Sequence, residues 1–287
     1  MSEQADSRRM RLLESLAEAD EPQDIDSLAE AMKCDSRTVR RDLDALQQLL
    51  HHVQGLEVRR GRVHVARSGH SPGYFTNQLE RNSEAKERIA RAVVAKLPDD
   101  VAIVLTAGST PYAVARKMRR VVIEGGSPRN LIVFTNSLPS LLELASAGIA
   151  TGALGEIYSP EDCALHTPDF HTAFQPSIAI VGASGVLFGP QSGQATLDLF
   201  SHRAEEAAFL KQLLAGVPEI IVAADSSKLG RRHPWSFGGP VLAGKTVRLI
   251  TDVLTDTQKQ DLSLVRDRFE ELGTQFYYEE SSEAAEW

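Results

Sequence analysis

From residue 101 onward, short apolar runs alternate with stretches of helical periodicity, and few folds satisfy that pattern. The runs cover residues 101–106, 131–134, 149–153, 178–182, 220–224, 247–251 and 275–278. Between them the spacing predicts helices over residues 111–121, 138–147, 204–215 and 256–272. Strands that are apolar at consecutive positions need cover on both faces. The pattern therefore predicts a doubly wound, mostly parallel α/β sheet. Ligands in such a sheet bind beyond the carboxyl ends of the strands, so the residues just past each run are the ones to read for chemistry.

Four of these ends carry donors. The first run is followed by Ala107-Gly108-Ser109-Thr110-Pro111. Its glycine lets the backbone approach a ligand closely, and its hydroxyls and helix N-terminus suit an anion. The same residues would also make an ordinary capped turn. Thr135-Asn136-Ser137 follows the second run and reads equally as donors or as an N-cap. Gly182-Ala183-Ser184-Gly185 follows the fourth. Asp225-Ser226-Ser227-Lys228 follows the fifth, its lysine either reaching a phosphate or sitting solvated in a turn. Together they supply what a phosphorylated small molecule needs, and Gly108, Ser109, Thr110, Asn136, Ser137 and Lys228 are the candidate effector contacts.

The amino-terminal part is organised differently. Residues 8–19 repeat Met10, Leu12, Leu13, Leu16 and Ala17 at helical spacing. Asp26 can cap a second helix with Leu28, Ala29 and Met32 inward. Cys34 then falls in a turn. Asp35 or Ser36 caps a third helix whose inward positions are Val39, Leu43, Leu46 and Leu50. That leaves Ser36, Arg37, Thr38, Arg40 and Arg41 for the outside, the chemistry of a helix that enters the DNA major groove. Residues 56–65 alternate on either side of Arg60-Gly61 and predict a two-stranded hairpin. Arg59, Arg60 and Arg62 make it a basic wing placed to contact phosphates. A solvated face, with Arg40 paired to Asp44 four residues on, is the competing reading, and the second basic element argues against it.

The net charge of −8 is unevenly spread: residues 33–67 hold eight basic and four acidic side chains, a local +4. Phosphates sense local charge, since screening acts over about 8–10 Å. Ser68-Gly69-His70-Ser71-Pro72-Gly73 reads as a linker, and residues 76–97 as one long amphipathic helix that connects domains and is a candidate dimer element. The expected organisation is therefore a DNA-binding domain over 1–67, a linker and connecting helix over 68–98, an effector domain over 99–278, and an acidic flexible tail over 279–287.

Other chemistry finds little support. Cys34 and Cys163 have no zinc spacing or disulfide framework, and no phosphate loop or Gly-x-Gly-x-x-Gly occurs. Ser184 is not in a Gly-x-Ser-x-Gly elbow, the histidines are scattered, and Glu205-Glu206 reads as a solvated helix face. The expectation is no metal, no cofactor and no catalytic residue. No apolar run approaches the ~18–20 residues that span a bilayer. The polar start, Met1-Ser2-Glu3-Gln4-Ala5-Asp6, reads as no signal peptide, so the expected setting is the cytoplasm without membrane contact.

These motifs resemble the DeoR family of bacterial transcriptional regulators. The N-terminal likeness rests on Leu28-Ala29 and Thr38-Val39-Arg40-Arg41-Asp42-Leu43. The C-terminal one rests on Arg81-Asn82, Lys86, Ile89-Ala90, Ala107-Gly108-Ser109-Thr110, Thr135-Asn136-Ser137, Leu154-Gly155-Glu156-Ile157-Tyr158, Asp225-Ser226-Ser227-Lys228 and Leu249-Ile250-Thr251-Asp252. The resemblance implies a winged helix-turn-helix joined to a sensor domain similar in fold to ribose-5-phosphate isomerase and the CoA transferases. It implies a repressor that binds operator DNA as a dimer or tetramer and responds to a phosphorylated sugar or related metabolite, and it adds Gly155 to the effector contacts. Thr106 stands where the family often has aspartate, and Asp35 where it usually has serine. The alternative is a sugar-phosphate isomerase-like or CoA-transferase-like enzyme with an accessory N-terminal domain.

Overall fold

The computed structural model describes residues 8, 11–12, 15–16, 23–49, 56–59, 61–65, 74–159, 163–166, 176–191 and 194–281. The chain divides into two compact units, Met1–Pro72 and Gly73–Trp287.

In the first unit, helices α1 (Ile25–Met32) and α2 (Ser36–Leu49) are joined by a turn through Cys34. α1 stops where Lys33 turns left-handed at φ 53°. Asp24 caps α1 by accepting from the Asp26 and Ser27 amides, so the expected cap at Asp26 moves two residues upstream. Asp35 caps α2, accepting the Thr38 amide at 2.7 Å. One face of each helix is apolar, and Ile25, Leu28, Ala29, Val39 and Leu43 pack with Leu12, Leu16 and Val63. Val63 lies in the hairpin of β2 (Leu56–Arg59) and β3 (Arg62–Val65), where Arg59 pairs with Arg62. Gly61, at φ 80°, allows the tight reversal between them. A short strand β1 (Gln23–Asp24) pairs with β3 and fastens the hairpin to the start of α1. The order helix, turn, helix, basic hairpin is that of a winged helix-turn-helix.

The second unit is built on a parallel sheet. Its strands are β4 (Ala102–Leu105), β5 (Ile132–Thr135), β6 (Ala150–Ala153), β9 (Ile178–Val181), β12 (Glu219–Ala223), β14 (Thr246–Thr251) and β15 (Gln275–Glu280), in the spatial order β15-β14-β12-β9-β4-β5-β6. Alternate residues of each strand go to opposite sides. Val104, Ala179, Val181, Ile220, Val222, Val247 and Leu249 belong to one core. Ile103, Leu105, Ile178, Ile180, Ile221, Ala223 and Ile250 belong to the other. The first core is covered by α7 (Ala204–Ala215) and α8 (Asp256–Glu271). The second is covered by α4 (Ser83–Val94), α5 (Ser109–Ile123) and α6 (Leu138–Ala145). Both faces are thus sealed, which is why the strands read as continuous apolar runs.

The strand order reverses between β4 and β9: the chain winds outward through β5 and β6, then returns and winds the other way. At that switch point the loops leaving adjacent strands part and open a crevice.

Four expectations change here. The predicted single helix over 76–97 is two, α3 (Tyr74–Glu80) and α4, broken at Asn82, which is left-handed at φ 52°. α4 is no connector either: Ile89, Ala90 and Val93 pack into the sheet core, so the helices belong to the second unit. The 279–287 tail begins later than expected, because β15 runs to Glu280, with Glu279 paired to Lys96 at 2.7 Å and Glu280 to Lys259 at 2.9 Å. Residues 282–287 lie outside the described set, as do 66–73 of the expected linker. Finally, an antiparallel sheet of β10 (Gly185–Gln191), β11 (Gln194–Ser201) and β13 (Trp235–Ser236), and a hairpin of β7 (Ile157–Ser159) and β8 (Ala164–His166), were not expected. Gly185, Gly189 and Pro190 in β10 read as loop in the sequence, although Leu197, Asp198 and Leu199 of β11 alternate as a half-buried strand does.

Candidate functional site

Each unit carries one candidate site. In the first, Arg37, Arg40 and Arg41 are exposed on α2, opposite the buried Val39 and Leu43. Among the described residues none of the three arginines has an ion pair, Asp44 included. Asp42 is buried and accepts from Arg8 Nε at 2.6 Å, which holds α2 to the helical segment before it. The face is therefore three open guanidinium groups on a helix pinned from behind. The Thr38 hydroxyl donates to Asp35 at 3.0 Å, and with the Thr38 amide it holds the Asp35 carboxyl below its ordinary range. The Ser36 hydroxyl donates to Asp26 of α1. Both hydroxyl protons are thus committed within the unit and must turn to reach a phosphate. Arg60 and the side chains of Arg59 and Arg62 lie outside the described residues.

In the second unit a cleft sits at the switch point between β4 and β9. It is about 80 Å³. That is several times the ~10–15 Å³ one water needs, and room for a phosphate-sized group. One wall is the start of α5. Gly108, the cap, has φ 133°, a conformation that favours glycine. Pro111, the third helical residue, has no N–H, so the first turn presents the Ser109 and Thr110 amides, which are bonded to no acceptor among the described residues. Gly182 lets the end of β9 lie against this turn: a Cβ there would sit 3.1 Å from the Pro111 ring. Lys228 enters from the turn after β12. Burial pushes its ammonium group down, Asp225 partly offsets this, and Arg81 and Arg231 add to it. Among the described residues its Nζ has no hydrogen-bond partner. Uncapped amides at the positive end of a 15-residue helix and a partly buried cation without a partner among the described residues have the chemistry to hold an anion.

A second layer holds this wall in place. Thr106 Oγ1 accepts the Gly182 amide at 3.3 Å and so bridges the strand ends across the switch point. Asn136 is buried; its Oδ1 accepts the Ala107 amide at 2.7 Å and its Nδ2 donates to Leu165 O at 3.4 Å. Asn82 Nδ2 donates to Asp225 at 2.9 Å and Ser227 at 3.2 Å, tying the break before α4 to the Lys228 turn. Lys86, buried on α4, donates to the Gln78 and Arg81 carbonyls at the end of α3. Desolvation lowers it to about 8, with Asp225 opposing. α3 in turn places Phe75 and Gln78 on the cleft.

Residues 81–253 match the model of the DeoR C terminal sensor domain. The chain belongs to the DeoR family. The glycerol-3-phosphate regulon repressor of Escherichia coli is 25% identical over 238 residues, 80% of this chain and 83% of that protein. The regulator GlpR of Haloferax volcanii is 24% identical over 230 residues, 78% and 82% of the two chains. Ribose 5-phosphate isomerase A of Methanocaldococcus jannaschii overlaps this structure at a TM-score of 0.38 with 20% identity, over 52% of this chain and 55% of that one.

The DeoR-type sensor unit gathers some of the expected contacts and not others. Gly108, Ser109, Thr110 and Lys228 line the cleft together. Asn136, Ser137 and Gly155 do not. The Asn136 side chain is committed to Ala107 and Leu165, and Ser137 caps α6 by accepting the Ser140 amide at 3.3 Å. Gly155, at φ 108°, takes a turn after β6. The cleft instead adds Ser184, Ser201, His202 and Glu206, with Phe200 and Phe237 as apolar surface. Glu206, expected to face water, is half-buried, while its neighbour Glu205 is exposed. Replacing Asn136 with leucine leaves the Ala107 amide buried without its acceptor. Such a loss costs about 1–3 kcal/mol, to be read as an equal drop in unfolding free energy by urea titration.

Proposed function

We propose that this DeoR-family regulator is a repressor whose operator affinity is set by a small phosphorylated sugar or polyol held in the switch-point cleft. The observation that supports the proposal is that an uncapped α5 N-terminus and Lys228, which has no hydrogen-bond partner among the described residues, line one cleft at the position where open α/β sheets bind ligands. Arg37, Arg40 and Arg41 supply the groove-facing element, with Arg59, Arg60 and Arg62 of the hairpin beside them. Ser36 and Thr38 join only if their hydroxyls turn from Asp26 and Asp35 to phosphates. A homo-oligomer would set two such helices on successive half-sites in the cytoplasm. The ligand shifts DNA affinity by as much as it prefers one arrangement of the protein over the other.

Glycerol 3-phosphate is the first probe, because the E. coli relative is named for that regulon. At a hundred times its dissociation constant a ligand adds about 2.7 kcal/mol to stability. For a unit of this size that raises the melting temperature by roughly 5–10 °C. The enzymatic reading needs a base at the reacting carbon, and Glu206 is a carboxylate on the cleft wall, so pentose phosphates belong in the same assay. A melting rise with phosphate esters and no turnover supports a sensor. Turnover of a pentose phosphate, or no rise with any phosphate ester, overturns it.

A further inference from the structure

We infer that α3 passes occupancy of the cleft on to the DNA-binding unit, and that Lys86 is the positioning residue that sets α3 for this. The inference rests on the phosphate reading above and deepens it by naming the element through which the ligand acts. α3 is placed for both tasks. Gly73 opens the second unit, and α3 starts at the next residue, Tyr74. The same short helix puts Phe75 and Gln78 on the cleft, beside Ser109, Thr110 and Lys228. A ligand that touches this wall therefore touches the element by which the chain enters the sensor unit.

A helix of 7 residues is too short to be stable alone, so α3 depends on what its neighbours supply. At its start the Phe75 ring meets Tyr112 of α5 edge to face, with centroids 5.6 Å apart. At its end Lys86, 3% exposed on α4, donates from Nζ to the Gln78 and Arg81 carbonyls. A helix leaves its last carbonyls without intrahelical donors, and its C-terminus favours a cation. One ammonium group meets both needs. The chain then breaks at left-handed Asn82, so α3 can tilt about that point while Ile89, Ala90 and Val93 keep α4 in the core. The clamp is joined to the anion wall by charge. Asp225 favours the charged forms of Lys86 and Lys228 alike, whereas Lys228 and Arg81 oppose the charge on Lys86. Asn82 donates to the same Asp225 at 2.9 Å. An anion beside Lys228 cancels part of the repulsion that Lys86 feels and so tightens the clamp. An occupied cleft thus fixes α3 twice, by contact at Gln78 and by charge at Lys86.

The test uses the full chain with glycerol 3-phosphate as the probe. Calorimetry gives probe binding, amide hydrogen exchange gives the opening of residues 74–81, and fluorescence anisotropy gives DNA affinity with and without saturating probe. In the wild type the probe should slow exchange over residues 74–81 by about tenfold or more. Lys86→Met keeps most of the side-chain volume and removes the donors. With the cleft saturated, its DNA affinity should change by less than about twofold, against about fivefold or more in the wild type. A merely structural role for Lys86 would lower stability and leave that ratio where it was. The exchange measurement on the wild type decides the matter even if Lys86→Met does not fold. A folded Lys86→Met with the wild-type ratio overturns the inference, as does a wild type that binds the probe and gains no protection over residues 74–81. Failure of the wild type to bind the probe in calorimetry would instead overturn the phosphate reading itself.

Discussion

Replacing Arg40 and Arg41 together with alanine is expected to weaken sequence-specific DNA binding by at least an order of magnitude. Both side chains are exposed on α2, with no ion pair among the described residues, so they have nothing to do in the folded unit itself. Each arginine that meets a base edge or phosphate is worth about 1–3 kcal/mol, so the pair should cost roughly thirtyfold to ten-thousandfold in affinity at fixed salt. The slope of affinity against salt should also flatten, by about one unit for each phosphate that an arginine no longer neutralises. Stability should hardly move, because the helix is anchored by Val39 and Leu43 and by the Arg8–Asp42 pair. The DNA to use is the sequence the wild type selects from a random pool. Unchanged affinity in a folded variant would remove α2 as the reading element.

The second large effect is at Lys228. Lys228→Met keeps the length and volume of the side chain and removes the cation. Hydrogen bonds to charged groups contribute about 1.5–3 kcal/mol, so binding of glycerol 3-phosphate should weaken by roughly ten- to a hundredfold. Stability without ligand should not fall. Burial already pushes the Lys228 ammonium below its ordinary 10.5, so the folded chain holds that proton less tightly than the unfolded chain. The sign follows from linkage: the unfolded state binds more protons as pH rises toward 10.5, so stability contributed through this group grows over that range. Lys228→Met lacks that gain, which urea titrations of both proteins at neutral and alkaline pH would show. A variant that binds the ester as the wild type does would place the anion elsewhere.

How much of this was legible in the sequence depends on which direction each group faces. The parallel sheet was legible because strands buried on both faces leave unbroken apolar runs, as Ile178–Val181 does. The winged element was legible because Val39 and Leu43 fix the face that leaves Arg37, Arg40 and Arg41 outside. The loop Gly108, Ser109, Thr110 was legible because a strand end followed by a helix start aims its amides by geometry alone. Asn136 was legible as a donor but not in its direction. A polar group at a strand end serves a ligand or a neighbouring loop equally well in sequence, and here the Asn136 Oδ1 accepts the Ala107 amide instead. Glu206 was hidden for a longer-range reason. Its place on the cleft depends on how the β10–β11–β13 sheet carries the chain from β9 to α7, and the glycines and proline of β10 conceal that sheet. The long helix over 76–97 failed similarly. Its periodicity is sound, but Asn82 bonds to Asp225 and Ser227, residues distant in sequence, and breaks it.

The cleft and the arginine face matter to one another only if occupancy of one changes the other. The direct measurement is the DNA affinity of the full chain at fixed salt, by fluorescence anisotropy, with and without saturating glycerol 3-phosphate, for the wild type and for Lys228→Met. A change of about fivefold or more is expected in the wild type, the size of an ordinary allosteric coupling. None is expected in the variant at the same ligand concentration, while DNA binding without ligand is equal in the two proteins. A wild-type affinity that stays the same with the cleft filled, or an equal change in both proteins, would show that the cleft does not control DNA binding.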